Sequence, residues 1–107
     1  MDRQRQLEAA LESITEQLIA LGALKVILFG SLADGTVDIY SDLDLLVLMP
    51  SAKTGKEWMG FIYGNIDREV DADIIAYNQE EFQERLPSSS FLRHALSSGR
   101  VVYEKAI

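Results

Sequence analysis

Two aspartates flank a leucine at residues 42–44, at the mouth of the apolar run DLDLLVLM. A segment meant only for burial would carry Leu or Val there, because a carboxylate is costly to remove from water. Residues two apart on a strand share a face, so Asp42 and Asp44 project together. At about 5 Å and an effective dielectric near 20, their charges repel by roughly 3 kcal/mol. A third acid comes from REVDADIIAY, residues 68–77, in which Asp71 and Asp73 share one face. Such a cluster must protonate, stay hydrated or bind a cation. Magnesium suits it, with hard oxygen donors, one or two carboxylates, and water and phosphate oxygens in the remaining positions. Two such ions about 4 Å apart activate an attacking oxygen and stabilise a leaving pyrophosphate. Gly30 and Ser31 lie just upstream, after another apolar run. Glycine lets a phosphate approach the backbone. Ser31 offers a hydroxyl and an amide at a candidate helix N-terminus, a natural anion site. One end of this constellation suits phosphate and the other suits metal.

These residues need elements to hold them. LKVILF, residues 24–29, is short and rich in β-formers, so it reads as a buried strand broken by Gly30 and Ser31. A short turn or helix, SLADG, follows, then a polar loop over 36–41 and a second strand over 42–49 that Pro50 ends. REVDADIIAY alternates over 68–77 and reads as a strand with one polar face. Helices fill the gaps. Leu7, Leu11, Ile14, Leu18 and Leu21 form the apolar stripe of a leading helix, which Asp2 caps and Gly22 ends. Trp58, Phe61 and Ile62 have helical spacing, although Gly55, Gly60 and Gly64 weaken a helix there. Asn78 caps a further helix with Glu81 at the capping-box position. SSSFLRHALSSG is a last helix, capped by Ser88 or Ser89 and stopped by Gly99, and RVVYE, 100–104, adds an edge strand. The expected fold is α/β (α+β): a mixed sheet with flanking helices, in one domain over 1–107.

Composition narrows the function. Seventeen acidic and ten basic residues give a net charge of −7. Nucleic-acid affinity comes mostly from cations meeting phosphates, so this chain is a poor candidate for gripping DNA or RNA unaided. It can still take a nucleotide through a bound cation, or a basic protein partner. The absence of cysteine excludes a disulfide framework and a thiolate zinc site, and fits a reducing cytoplasm. No apolar run approaches a membrane span, and the charged N-terminal segment lacks a signal-peptide core.

The order Gly-Ser, ten residues, Asp-x-Asp, then a later strand bearing an aspartate resembles the minimal nucleotidyltransferase (MNT) group of the DNA polymerase beta superfamily. The likeness runs from the leading helix and VILFGS through SDLDLLV and DIIAYNQEEF to FLRHALSSGRVVYE. It implies a nucleotidyltransferase fold and transfer of a nucleoside monophosphate, AMP from ATP, to a hydroxyl. By this resemblance Gly30 and Ser31 hold the triphosphate. Asp42, Asp44 and Asp73 bind one or two Mg2+ ions and carry catalysis. Asp71 competes with Asp73 for the third place, and IIAYNQEEF, aligned after the family's third aspartate, favours Asp73. Minimal members resemble the antitoxin half of a two-gene pair whose partner is a helical HEPN ribonuclease toxin, silenced by AMP on a tyrosine. Oligomerisation is left open.

The sequence departs from the family at Leu32 and Asp34, where members often carry arginine or another large polar residue. An acid there weakens nucleotide binding unless it points away. The alternative is therefore an inactive relative that acts by contact alone, as an antitoxin or adaptor. A phospho-accepting receiver domain also clusters acids around magnesium, but carries an acidic pair after its first strand, where Gly-Ser stands here. Blander roles compete at single residues: Ser31 as a helix cap, Asp71 as solvated strand face, Trp58, Phe61 and Tyr63 as core or partner surface. His94 reads as a residue near a helix C-terminus, where its partial charge suits the dipole.

Overall fold

The computed structural model describes residues 2–106. Helix α1, Arg3–Ala20, buries Leu7, Ala10, Leu11, Ile14 and Leu18 along one stripe. The Asp2 carboxylate caps it by accepting from the Arg5 amide at 2.9 Å. Gly22, at φ 109°, turns the chain beyond its end, a conformation that strains a residue with a Cβ. Strand β1, Lys25–Phe29, runs into the single turn α2, Ser31–Asp34. After the loop come β2, Leu43–Met49, and α3, Gly55–Asn65. Strand β3, Ala72–Asn78, leads into α4, Gln79–Arg85, then a short 3-10 turn, Leu86–Ser88. Helix α5, Ser90–Ser98, and strand β4, Arg100–Glu104, complete the order.

The four strands form one mixed sheet in the order β3-β2-β1-β4. β1 is antiparallel to β2 and to β4, while β2 and β3 are parallel. Side chains alternate across this sheet and build two cores. On one face Val26, Leu28, Leu43, Leu45, Val47 and Ile74 pack with α1 and α3. On the other, Ile27, Leu46 and Leu48 pack with Phe82 of α4 and Leu92 and Ala95 of α5. β2 lies between two partners and under helices on both sides, so its apolar run does not alternate. Asp44 is the charged exception within it.

Two strands start later than the sequence predicts. β2 begins at Leu43, leaving Asp42 in the preceding loop, and β3 begins at Ala72. The reason is register. Leu43 pairs with Ala72, and the Leu43 amide donates to the Asp71 carbonyl at 3.2 Å. Residues 68–71 alternate in sequence but lie before the first register pair with β2, and of them Asp71 bonds to it through its carbonyl. Helix α3 forms despite its glycines because Thr54 and Glu57 make a reciprocal capping box. Trp58 and Ile62 are buried, and the Trp58 indole donates to the Pro50 carbonyl at 2.8 Å. Gly55 is needed where it stands, since a Cβ there would collide with the Ala76 carbonyl and the Glu81 carboxylate. Glu81 joins the two helix starts: its Oε1 accepts from Asn78 at 2.9 Å and from Gly55 at 2.8 Å.

Candidate active site

The chemistry-bearing residues meet at one end of the sheet, where β1 finishes and β2 and β3 begin. Phe29 pairs with Asp44, and Asp44 pairs with Asp73. Neighbouring strands lie about 4.8 Å apart, and paired residues project to the same side. Asp44 and Asp73 therefore stand side by side, on the face that carries α4 and α5. At this end Phe29 packs edge-on against Phe91 of α5, with ring centroids 5.4 Å apart.

Gly30 closes the other side. Its backbone sits at φ 77° and ψ −157°, a region occupied almost only by glycine. A Cβ built there would fall 3.0 Å from the Asp44 Cγ and overlap its Oδ2. The Gly-Ser turn and the Asp-x-Asp segment, a dozen residues apart in sequence, are thus in contact. Ser31 opens α2, which is a single turn, so its dipole contributes little and its backbone amides are what it offers an anion.

The acids differ in setting. Asp44 is half-buried, while Asp42, Asp71 and Asp73 are exposed. Burial pushes the Asp44 carboxyl above its ordinary range, and the charge of Asp73, then that of Asp42, pushes it further. Asp42 is turned towards Arg3, whose Nη2 lies 3.3 Å from its Oδ1. As the side chains stand, no group of three His, Cys, Asp or Glu among the described residues is gathered for a metal. Asp44 and Asp73 are adjacent, and Asp42 lies two residues along from Asp44. The donors are carboxylate oxygens throughout, with no histidine or thiolate, and this set fits a hard divalent cation such as magnesium.

The burial of Asp44 and the repulsion from Asp73 and Asp42 give a stability prediction for metal-free protein. A carboxyl whose folded-state pKa is raised is held protonated more tightly when folded than when unfolded. Its contribution is complete below the ordinary aspartate value and is lost as pH rises through the raised one. Wild-type protein should therefore lose stability relative to Asp44→Asn across that window. In chelator, Asp44→Asn should melt above wild type at neutral pH, and the advantage should vanish at about pH 3. A variant that melts below wild type at neutral pH would contradict the geometry.

Other residues fall where sequence reasoning did not place them. Leu32 points into the core beside α1 and is 8% exposed, so a side chain there does not reach a ligand. Asp34 is exposed at the end of α2. His94 is exposed midway along α5, not in its last turn. Tyr63 proves to be a strand clamp. Its hydroxyl accepts from the Ile74 amide at 2.7 Å and lies 3.2 Å from the Ala72 carbonyl, pinning β3 on both sides of Asp73. Arg3 reaches Ser41 and Asp42 just before β2, and nothing in an N-terminal helix pattern marks such a residue.

A cavity of about 770 Å³ lies at the opposite end of the sheet, among Leu24, Lys25, Leu48, Gln79, Glu104 and Lys105. Its one acid is Glu104, paired with Lys25 at 2.9 Å, whereas at the carboxylate end Asp42 and Asp73 are exposed to solvent. No helix among the described residues is long and apolar enough to cross a membrane.

Comparison with known proteins agrees with this geometry. The chain is similar in structure to a proposed nucleotidyltransferase from Sulfolobus solfataricus, with a TM-score of 0.67 and 16% sequence identity. The superposition covers 95% of this chain and 84% of the other, a likeness of fold. No curated protein matches the sequence significantly. Residues 8–102 match the profile of the nucleotidyltransferase domain, a span that includes β1, β2 and β3 and the candidate site residues Gly30, Ser31, Asp42, Asp44, Asp71 and Asp73. The chain belongs to the nucleotidyltransferase domain family.

Proposed function

We propose that this protein transfers a nucleoside monophosphate, AMP from ATP, to a hydroxyl carried by a partner protein. Family membership supports nucleotidyl transfer from a nucleoside triphosphate in general. The observation that carries the finer reading is the in-register pair Asp44 and Asp73, set against the Cβ-free surface of Gly30. Asp44 and Asp73 would hold a divalent cation, with Asp42 joining them when its carboxylate leaves Arg3. When bound, that cation neutralises the triphosphate and favours the ionised form of an attacking hydroxyl.

The chain's own residues do the rest. Gly30 lets the triphosphate lie against the backbone, and the amides of the Ser31 turn donate to its oxygens. The acceptor oxygen attacks the α-phosphorus, the bond to the β-phosphate oxygen breaks, and pyrophosphate leaves. The acceptor's proton passes to the Asp73 carboxylate, which is exposed and able to reach an incoming group. Catalysis comes from holding the reactants in line and from fixed charge. The exposed carboxylate end suits an acceptor presented by another protein. A tyrosine on a helical HEPN-type toxin is the expected acceptor, which makes this chain its antitoxin.

The rival reading, binding without turnover, rests on Leu32 and Asp34. The burial of Leu32 gives that residue a packing role and weakens the case for lost activity. Labelled ATP separates the readings. With magnesium and the acceptor protein, label on the α-phosphate should become covalently attached and label on the γ-phosphate should not. Attachment of γ-label, or stable complex formation with no attachment of either, would overturn the proposal.

A further inference from the structure

The guanidinium of Arg3 is held on three sides. Its Nε donates to the Ser41 carbonyl at 2.8 Å, its Nη1 lies 3.4 Å from the Gln6 Oε1, and its Nη2 meets the Asp42 Oδ1 at 3.3 Å. Among the described residues no other cation pairs with an aspartate of the site. The placement opposes local preference. Arg3 is the first residue of α1, at the helix end where positive charge is disfavoured, and the first turn contains no acid. Its partner comes instead from the loop that delivers β2. The two side chains differ in freedom, since that of Arg3 is 23% exposed and that of Asp42 is 50% exposed. The bond from Arg3 to the Ser41 carbonyl does not involve Asp42, so it persists if the carboxylate turns away.

We propose that Arg3 is a positioning residue, a built-in counter-ion that competes with the divalent cation for Asp42. This rests on the reading of Asp42 as a metal ligand. Without metal, Arg3 neutralises Asp42 and holds it apart from Asp44 and Asp73. The cation draws the carboxylate away, and Arg3 remains on Ser41. Metal binding thus carries the cost of breaking an ion pair, and the apparent affinity falls by the fraction of Asp42 already engaged. Leu32 and Asp34 supply no positive charge after Gly-Ser; the fold brings Arg3 to this edge from elsewhere, and Arg68 lines a hollow with it beside Asp71 without pairing with a site aspartate.

Magnesium titration by calorimetry tests the exchange without reference to activity. Arg3→Gln should bind magnesium about three- to tenfold more tightly than wild type, because a competing pair and a nearby like charge are both removed. Arg3→Lys keeps a point charge without the planar fork and should fall between the two. In an Asp42→Asn background, Arg3→Gln should tighten binding distinctly less, because only the like charge and no competing pair is removed. The half-exposed pair contributes little to folding, and melting in chelator checks that each variant is folded; Arg3→Lys carries the test if Arg3→Gln is not. If wild type binds magnesium and the Arg3 variants bind no more tightly, the inference fails while the metal reading stands. Equal tightening without Asp42 overturns the inference as well. Magnesium bound by Arg3→Gln but not by wild type supports it. No binding by any variant removes both.

Discussion

Replacing Gly30 by alanine is expected to destabilise the protein by about 2–6 kcal/mol and to remove its response to magnesium and ATP together. The backbone region occupied by Gly30 costs a residue with a Cβ about 1–3 kcal/mol. Crowding adds about 1–3 kcal/mol more, because the new methyl overlaps the Asp44 carboxylate. Asp44 cannot yield by turning inward, as the strand around it is packed on both faces. Relief must come from moving Asp44 or from opening the turn between β1 and α2, and either change separates the two halves of the site. A domain of this size should then melt on the order of ten degrees or more below wild type. Gly35 is the control. It also has positive φ, but a Cβ there meets nothing within 4 Å, so Gly35→Ala carries the backbone strain alone. If Gly30→Ala melts with wild type and retains its nucleotide response, the contact between Gly30 and Asp44 has no functional meaning.

The second large effect separates two aspartates that sequence reasoning could only rank. Asp73→Asn should abolish magnesium-dependent stabilisation by ATP, and Asp71→Asn should leave it close to wild type. Asp73 pairs with Asp44 inside the sheet and is pinned on either side by Tyr63, so its carboxylate has a fixed origin. Asp71 precedes β3 and contributes its carbonyl to Leu43. A ligand at 100 times its dissociation constant stabilises by about 2.7 kcal/mol, which a melting experiment resolves easily. Wild type and Asp71→Asn should show that gain, and Asp73→Asn and Asp44→Asn should not. The reverse pattern for Asp71 and Asp73 would move the site one face-step along β3.

Much of this site is legible in the sequence because each part leaves a local mark. Asp44 stands out within an otherwise apolar strand, Gly30 at the break after one, and Asn78 with Glu81 at a helix start. Alternation in 68–77 placed Asp71 and Asp73 on one face, and the sheet pairs Asp73 with Asp44. What sequence could not supply were facts created by pairing. The late starts of β2 and β3 follow from the match of Leu43 with Ala72, a register between segments far apart in the chain. By alternation alone Asp71 and Asp73 are equivalent; the resemblance favours Asp73, and the register places Asp73 beside Asp44. The glycines of α3 weaken it by propensity alone, and the Thr54–Glu57 capping box offsets them. Arg3 left no signal, since its partner lies 39 residues away and the contact exists only once α1 has packed on the sheet. Leu32 seemed a damaged ligand position until its burial showed it to be core.

The most direct test is a crystal structure with magnesium and a non-hydrolysable ATP analogue. The account predicts a metal ion bound by Asp44 and Asp73, and the triphosphate lying along the backbone of Gly30 and Ser31. A nucleotide seated instead in the cavity beside Lys25 and Lys105, with the three aspartates holding no metal, would contradict it.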